Sequence, residues 1–195
     1  MTPEFIVELR RHIGHAELWL IGVTVIVVRG EAGAEEVLLV RRADDGRWTP
    51  VTGIVDPGEE PDAAGAREVL EETALHAEME SLLAVRTTRK IEYHNGDRAQ
   101  FLDHAFLARV VGPEGEGQGE RAGDGERGGE SGVCSEPRPA DGENTAARWV
   151  PLADVPPMGA RFDRTVELAI AARRGAAGGT GYPGRVLFGA EERKR

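Results

Sequence analysis

Residues 53–75 read GIVDPGEEPDAAGAREVLEETAL, and this stretch decides how the rest of the chain is interpreted. Strong helix formers and regularly spaced apolar residues over 63–75 predict an amphipathic helix. Glu68, Glu71 and Glu72 are three or four positions apart, so the helix presents all three carboxylates on one side. We expect that side to be an exposed helix face.

Three like charges on one helix face repel each other unless a cation lies among them. Carboxylate oxygens without His or Cys nearby suit Mg²⁺ or Mn²⁺ better than zinc. Arg67 could pair with Glu71 one turn later or with Glu59 across the loop, and glycines at 53 and 58 permit a tight bend and close approach to a ligand. Taken alone, the same glutamates would also fit an ordinary solvated helix face.

The whole segment resembles the Nudix box, G-x5-E-x7-R-E-U-x-E-E-x-G-U, in which U is a bulky apolar residue. One position departs, because Ala74 stands where the box has its final glycine. Flanking stretches at 37–42 (VLLVRR) and 148–152 (RWVPL) are also similar to Nudix sequences. The matching positions are Gly53, Glu59, Arg67, Glu68, Val69, Glu71, Glu72 and Leu75.

This resemblance implies an α/β/α sandwich with a mixed β-sheet, in the α/β class. It implies a hydrolase that cleaves the diphosphate linkage of a nucleoside diphosphate derivative with Mg²⁺ or Mn²⁺. Arg67 and Glu59 would hold the loop and the glutamates in place. The metal ligands implied are Glu68, Glu71, Glu72 and the carbonyl of Gly53.

The general base stays open at this point. A glutamate of the box, Glu68, is one candidate. Glu143, which precedes a strand-like segment, is a possible additional base, although an acid there is also consistent with a solvated charge. Asp97 and Asp103 are weaker candidates, since Asp97 is most simply explained as a turn residue.

Substrate contacts are less defined by the sequence. Arg41, Arg42 and Arg47 could bind phosphates bidentately, or they could form surface ion pairs with Asp44 and Asp45.

The aromatic and imidazole rings of Tyr93, His94 and Phe101 could stack on a base or lie in the core. An ADP-ribose-like substrate is favoured on the resemblance. The alternatives are pyrophosphohydrolysis of nucleoside triphosphates, including oxidised ones, and a non-catalytic nucleotide-sensing domain.

Composition limits the partners. The chain has 195 residues and a net charge of −10, which argues against binding to a nucleic-acid polymer or to an acidic membrane surface. The longest apolar run, over 18–28, is too short to span a bilayer, and Cys134 is the only cysteine. We expect a cytoplasmic protein that binds a small-molecule nucleotide, and the N-terminal helix could serve a homodimer as easily as a domain cap.

Domain organisation follows from the same composition. We predict an N-terminal helical segment at 1–15, a hydrolase domain at 16–173 and a C-terminal tail at 174–195. Residues 112–143 hold nine acids, three arginines and many glycines, and we interpret them as a flexible insertion. Strands are predicted at 18–28, 36–41, 51–55, 80–91 and 101–111, and further helices at 2–12 and 163–174.

Overall fold

The computed structural model of the chain describes residues 2–112 and 136–176, together with the backbone of Leu187–Phe188. Most of the predicted insertion, including Cys134, and most of the predicted tail lie outside these residues. The helices are α1 (Glu4–Ile13), α2 (Pro61–Thr73) and α3 (Ala160–Ala176). The strands are β1 (Leu18–Arg29), β2 (Glu36–Arg42), β3 (Trp48–Thr49), β4 (Val51–Ile54), β5 (His76–Thr87), β6 (Ile91–Glu92), β7 (Arg98–Val111), β8 (Asn144–Pro151) and β9 (Leu187–Phe188).

The sheet is mixed, and β1 is its central strand. β1 runs parallel to β7 over most of its length, and β7 runs antiparallel to β5. The first half of β1 pairs with β4, through Gly22–Ile54 to Val25–Val51, whereas its end pairs with β2. β8 lies antiparallel to β2. The neighbour of β1 thus changes from β4 to β2 along its length. The sheet divides between Val25, the last β1 residue that pairs with β4, and Val28, the first that pairs with β2.

Helices cover both faces of this sheet, which confirms the predicted α/β class. The β-branched run of β1 alternates between the faces, as expected for a strand buried on both sides. One face packs on α2 and the other on α3. Buried residues on the α2 face include Val25, Val27, Val69, Leu75 and Ala108. Those on the α3 face include Ile26, Val28, Leu107, Val166 and Ile170.

Several predicted boundaries shift. β5 starts at His76, directly after α2, although its strand character was predicted only from 80 onwards. α3 starts at Ala160, three residues before the predicted start. The predicted turn at Asn95-Gly96-Asp97 does connect β6 and β7, and Tyr93 N donates to Asp97 O at 2.9 Å. Within the described residues, no helix combines the length and apolar character needed to cross a membrane.

The end of α2 has an unusual backbone conformation. Ala74 is the C-cap and adopts the left-handed region at φ 58° and ψ 21°, with its N–H bonded to Leu70 O. An alanine Cβ is unfavourable there, and glycine is the usual residue. The chain therefore leaves the helix in the conformation that the missing glycine of the box would adopt.

We predict that Ala74→Gly stabilises the protein. Glycine removes the left-handed strain, so the free energy of unfolding should rise by about 0.5–1 kcal/mol. For a chain of this size the melting temperature should rise by roughly 1–4 °C. Denaturant titration with circular dichroism would measure the difference.

Ala63→Gly is the matched control, because Ala63 is exposed in the right-handed part of the same helix. There glycine should lower stability by up to about 1 kcal/mol. Equal losses at both positions would contradict the strain at Ala74.

Candidate active site

Arg67 connects the loop before α2 to the helix itself. Its Nε and Nη2 donate to the two carboxylate oxygens of Glu59 at 2.8 and 2.9 Å, and Nη2 also donates to Ile54 O at 3.0 Å. Its Nη1 donates to Oε1 of Glu68 at 2.9 Å. The guanidinium holds the pKa of Glu59 below its usual range. One side chain thus fixes the loop, the end of β4 and a helix carboxylate together.

Gly53 lies directly against Glu68. A Cβ at position 53 would sit 2.1 Å from the Cδ of Glu68, so no other residue fits without displacing that carboxylate. The next residue, Ile54, donates its N–H to Oε1 of Glu68 at 3.3 Å. Burial raises the pKa of Glu68, although Arg67 acts in the opposite direction. Gly53 is therefore required because there is no space for a side chain at this position, and not because its backbone conformation needs a glycine.

Glu72 corrects the expectation of an exposed helix face, because the residue is only 5% exposed. Asn144, at the start of β8, donates its Nδ2–H to Oε2 of Glu72 at 2.8 Å. Burial and then repulsion by Glu68 raise the pKa of Glu72 to about 8, while Asn144 and the nearby Arg42 act against this rise. A buried carboxylate in this setting favours a proton or a bound cation.

Glu71 has different surroundings. Its side chain is 50% exposed, and its Oε2 accepts from Arg67 Nη1 at 3.2 Å. In the parts of the chain that the structure describes, no three His, Cys, Asp or Glu side chains are grouped closely enough to hold a metal ion. The structure thus brings Glu68 and Glu72 together and turns Glu71 towards Arg67. The buried carboxylate of Glu72 and the half-buried carboxylate of Glu68, both with raised pKa values, nevertheless fit a hard divalent cation.

The arginines predicted to bind phosphates form ion pairs with their neighbours. Arg42 donates from Nε and Nη2 to both carboxylate oxygens of Asp44, at 2.9 and 2.6 Å. Arg47 donates from Nε to Asp45 at 2.7 Å. Arg41 donates to a backbone carbonyl of the same turn at 3.1 Å. The structure therefore places Arg42 and Arg47 in the ion pairs of the second alternative.

The candidate base Glu143 is exposed, and its neighbour Asn144 is the residue that faces Glu72. The pairing of β8 with β2 shifts register between Arg41 and Arg42, opposite the start of β8. The alternation of side chains along a regular strand therefore could not predict whether Glu143 or Asn144 points towards Glu72. The base role of Glu143 stays a prediction.

The weaker candidate acids are already paired. Asp97 lies 2.8 Å from Nδ1 of His15 and 3.2 Å from Nε of Arg10. Asp103 is fully buried on β7, where Nη2 of Arg161 approaches it to 2.8 Å. Sequence reasoning missed Arg161, because the predicted helix began at 163 and left it in a loop.

Two of the predicted stacking residues also differ in exposure. Phe101 is buried beside Ile6 and Leu20, so it belongs to the core. Tyr93 is 43% exposed on the connection between β6 and β7. Of these two rings, only that of Tyr93 is accessible to a ligand.

We predict that Mg²⁺ stabilises the wild type against thermal unfolding and that Gly53→Ala loses this response, because the added Cβ must push Glu68 away. Scanning fluorimetry across a MgCl₂ series would measure it. Gly175→Ala is the control, since a Cβ there meets no atom within 4 Å and Mg²⁺ should still stabilise it. Equal Mg²⁺ responses in both variants would show that Glu68 plays no part in cation binding.

The raised pKa of Glu72 predicts a pH dependence of stability without divalent cations. Between its ordinary value near 4.5 and about 8, the folded state holds a proton that the unfolded state releases. The free energy of unfolding contributed by this group therefore falls as pH rises through that window. Glu72→Gln should remove the slope and be more stable than wild type at pH 8, by on the order of 2 kcal/mol.

Urea titrations in EDTA between pH 5 and 8 would measure both proteins. Parallel pH profiles for wild type and Glu72→Gln would mean that Glu72 ionises in the folded protein as it does in water.

Comparison with known proteins shows which family the chain resembles. The chain matches the NUDIX domain over residues 19–169. It is 31% identical over 125 residues to the human 8-oxo-dGDP phosphatase NUDT18, covering 63% of this chain and 30% of that protein. It is 38% identical over 73 residues to a MutT-like protein of Streptomyces ambofaciens, covering 36% of this chain and 46% of that protein. The chain therefore spans half or less of the length of these two relatives.

Solved structures share the fold. A MutT NUDIX hydrolase from Burkholderia pseudomallei superposes with a TM-score of 0.51 at 24% identity, covering 77% of this chain and 98% of that one. The family match covers most of the chain. The sheet with helices on both faces and the box residues around Arg67 agree with this match. This chain belongs to the NUDIX family.

Proposed function

We propose that this chain is a divalent-cation-dependent hydrolase that cleaves a phosphoric anhydride bond in a small-molecule nucleotide. The observation that carries the proposal is the close contact of Gly53 with Glu68, next to the buried Glu72. Such carboxylates are costly to bury without a counter-charge. Family membership supports the same reaction class.

Glu68 and Glu72 would hold Mg²⁺ or Mn²⁺, with the carbonyl of Gly53 as a further oxygen ligand. Glu71 would join them on leaving Arg67. A bound divalent cation supplies charge neutralisation for the phosphates and lowers the pKa of a coordinated water. In this proposal Arg67 and Glu59 keep the loop and helix in register throughout.

The remaining polar groups have proposed roles as well. Arg42 is the best placed of the three arginines to meet a phosphate, because it lies within electrostatic range of Glu72. It would exchange Asp44 for a phosphate oxygen, which offers the same bidentate geometry. Glu68 is one candidate for the general base. Glu143 is the alternative.

Two substrate classes fit the proposal. The first is a diphosphate-linked derivative such as ADP-ribose, which rests on the family resemblance. The second is a nucleoside di- or triphosphate, oxidised forms included, and the name of the human relative, an 8-oxo-dGDP phosphatase, favours it. A non-catalytic sensor is less favoured, because every acid of the box is present. A cytoplasmic location and a homodimer stay predictions.

A phosphate-release screen tests the proposal. ADP-ribose, nucleotide sugars and ordinary and oxidised nucleoside triphosphates would be offered with MgCl₂ or MnCl₂. We expect turnover of at least one class, abolished by EDTA and lowered at least about 100-fold by Glu72→Gln, because a cation ligand is lost.

Glu78→Gln is the matched control, since Glu78 is an exposed glutamate on β5 that pairs with Arg109 outside the site. It should retain wild-type rates. Turnover that survives EDTA or Glu72→Gln would overturn the cation-dependent reaction. Nucleotide-induced stabilisation without any turnover would favour the sensor.

A further inference from the structure

A side chain outside the box contacts the carboxylates of α2, and it comes from the start of β8. Asn144 is 7% exposed, and Glu72 is 5% exposed. Nδ2 of Asn144 donates to Oε2 of Glu72 at 2.8 Å. Among the described residues, no second donor bonds to this carboxylate, so Oε1 is left for another ligand. The buried amide thus determines which oxygen of Glu72 is available.

The backbone around Asn144 is held on both sides by the neighbouring strand. Asn144 lies at the register shift between β8 and β2. Just before it, the carbonyl of Glu143 accepts from the N–H of Ala43 at 2.9 Å. Just after it, the hydroxyl of Thr145 donates to the carbonyl of Arg41 at 3.3 Å. The amide therefore belongs to the sheet, and the sheet sets its position relative to α2.

Glu68, one turn earlier on α2, is held in the same way. Its Oε1 accepts from Nη1 of Arg67 at 2.9 Å and from the N–H of Ile54 at 3.3 Å. Each of the two glutamates is therefore fixed through one oxygen by a donor on a strand, Ile54 on β4 for Glu68 and Asn144 on β8 for Glu72. Carboxylates that bind metal ions are commonly oriented by hydrogen bonds of this kind.

The donor at Glu72 carries no charge, unlike the partners of the other buried acids that the structure describes. Glu35 pairs with Arg174 at 2.7 Å, and Asp103 lies 2.8 Å from Arg161. A guanidinium neutralises the carboxylate with which it pairs, whereas an amide donates a hydrogen bond and adds no charge. Glu72 is thus oriented by the protein without being neutralised by it.

A guanidinium is close enough to act on Glu72 but is bound elsewhere. Arg42 lies within electrostatic range of Glu72. Its Nε and Nη2 donate to the two carboxylate oxygens of Asp44, at 2.9 and 2.6 Å. The charge of Arg42 is therefore compensated by Asp44, and the directed contact with Glu72 comes from Asn144.

We propose that Asn144 is a positioning residue of the cation site, whose amide holds Oε2 of Glu72 so that Oε1 is presented to the divalent cation. This inference rests on the proposed function and deepens it, because it names a residue outside the box on which cation affinity depends. Loss of such an outer partner typically weakens metal binding by about 10–100-fold. The competing explanation is that the amide only offsets the cost of burying a carboxylate.

Binding of Mn²⁺ measures this role without any reaction. Titration of the full chain with MnCl₂, followed by the EPR signal of the free ion, gives the dissociation constant. Asn144→Leu keeps a similar side-chain volume and removes the donor, so it should weaken Mn²⁺ binding about tenfold or more. Asn95→Leu is the matched control, because Nδ2 of Asn95 donates to Asp97 at 2.9 Å in the turn between β6 and β7. It should bind Mn²⁺ like the wild type.

Kinetics with a substrate from the screen separate the cation from the nucleotide. Asn144→Leu should raise the MgCl₂ concentration that gives half the maximal rate about tenfold or more. KM for the nucleotide at saturating Mg²⁺ should stay at the wild-type value, because the amide contacts a cation ligand and not the nucleotide. Lower thermal stability with unchanged Mn²⁺ affinity would support the competing explanation and overturn the proposal.

If Asn144→Leu does not fold, Asn144→Ser is the second variant. Its hydroxyl is one bond too short to reach Oε2 of Glu72, so it should weaken Mn²⁺ binding to a similar extent. Wild-type Mn²⁺ affinity in the folded variant would overturn the role of Asn144 and leave the hydrolase intact. Weaker Mn²⁺ binding in the variant, together with a wild type that turns over no substrate, would overturn only the hydrolase. A wild type that binds no Mn²⁺ would overturn both.

Discussion

The guanidinium of Arg67 is the interaction on which the site depends. It binds both oxygens of Glu59, the carbonyl of Ile54 and the carboxylate of Glu68. The loop between β4 and α2 buries one apolar side chain, Val55, at its start, and these charged hydrogen bonds hold the part that follows. A lysine could not replace this arrangement, because one ammonium cannot span two carboxylates and a carbonyl in a plane.

The site also shows how burial and charge oppose each other. Glu72 is buried beside a second carboxylate, and its hydrogen bond from Asn144 offsets part of the cost. Ion pairs elsewhere in the protein are more conventional. Glu35, for example, receives two hydrogen bonds from Arg174, and its pKa falls to about 2. Burial of charge at the glutamates of α2 therefore lowers the stability of the fold.

The spacing of the box predicted direct contacts such as the pairing of Arg67 with Glu59, whereas the metal-binding and catalytic roles of its residues stay predictions. Glu68 lies against Gly53 and accepts a hydrogen bond from Arg67, and Ala74 has the αL conformation at the position of the box glycine. Contacts between distant elements were less accessible. Asn144 reaches Glu72 across 72 positions through a register shift, and Arg161 reaches Thr24 across 137. The local periodicity of the sequence does not predict such pairs, because they depend on how the sheet divides and on where α3 packs against it.

The position of β1 at the centre of the sheet has a consequence for folding. Its residues pair with β7 about 80 positions later, and β2 pairs with β8 more than 100 positions later. A sheet assembled from such distant segments has a high contact order, which predicts slow folding. The entropy of closing these loops grows only logarithmically, by about 0.6 kcal/mol for each doubling of loop length. Evolution can therefore change the length of the connection between β7 and β8 with little effect on stability, as long as Asn144 still reaches Glu72.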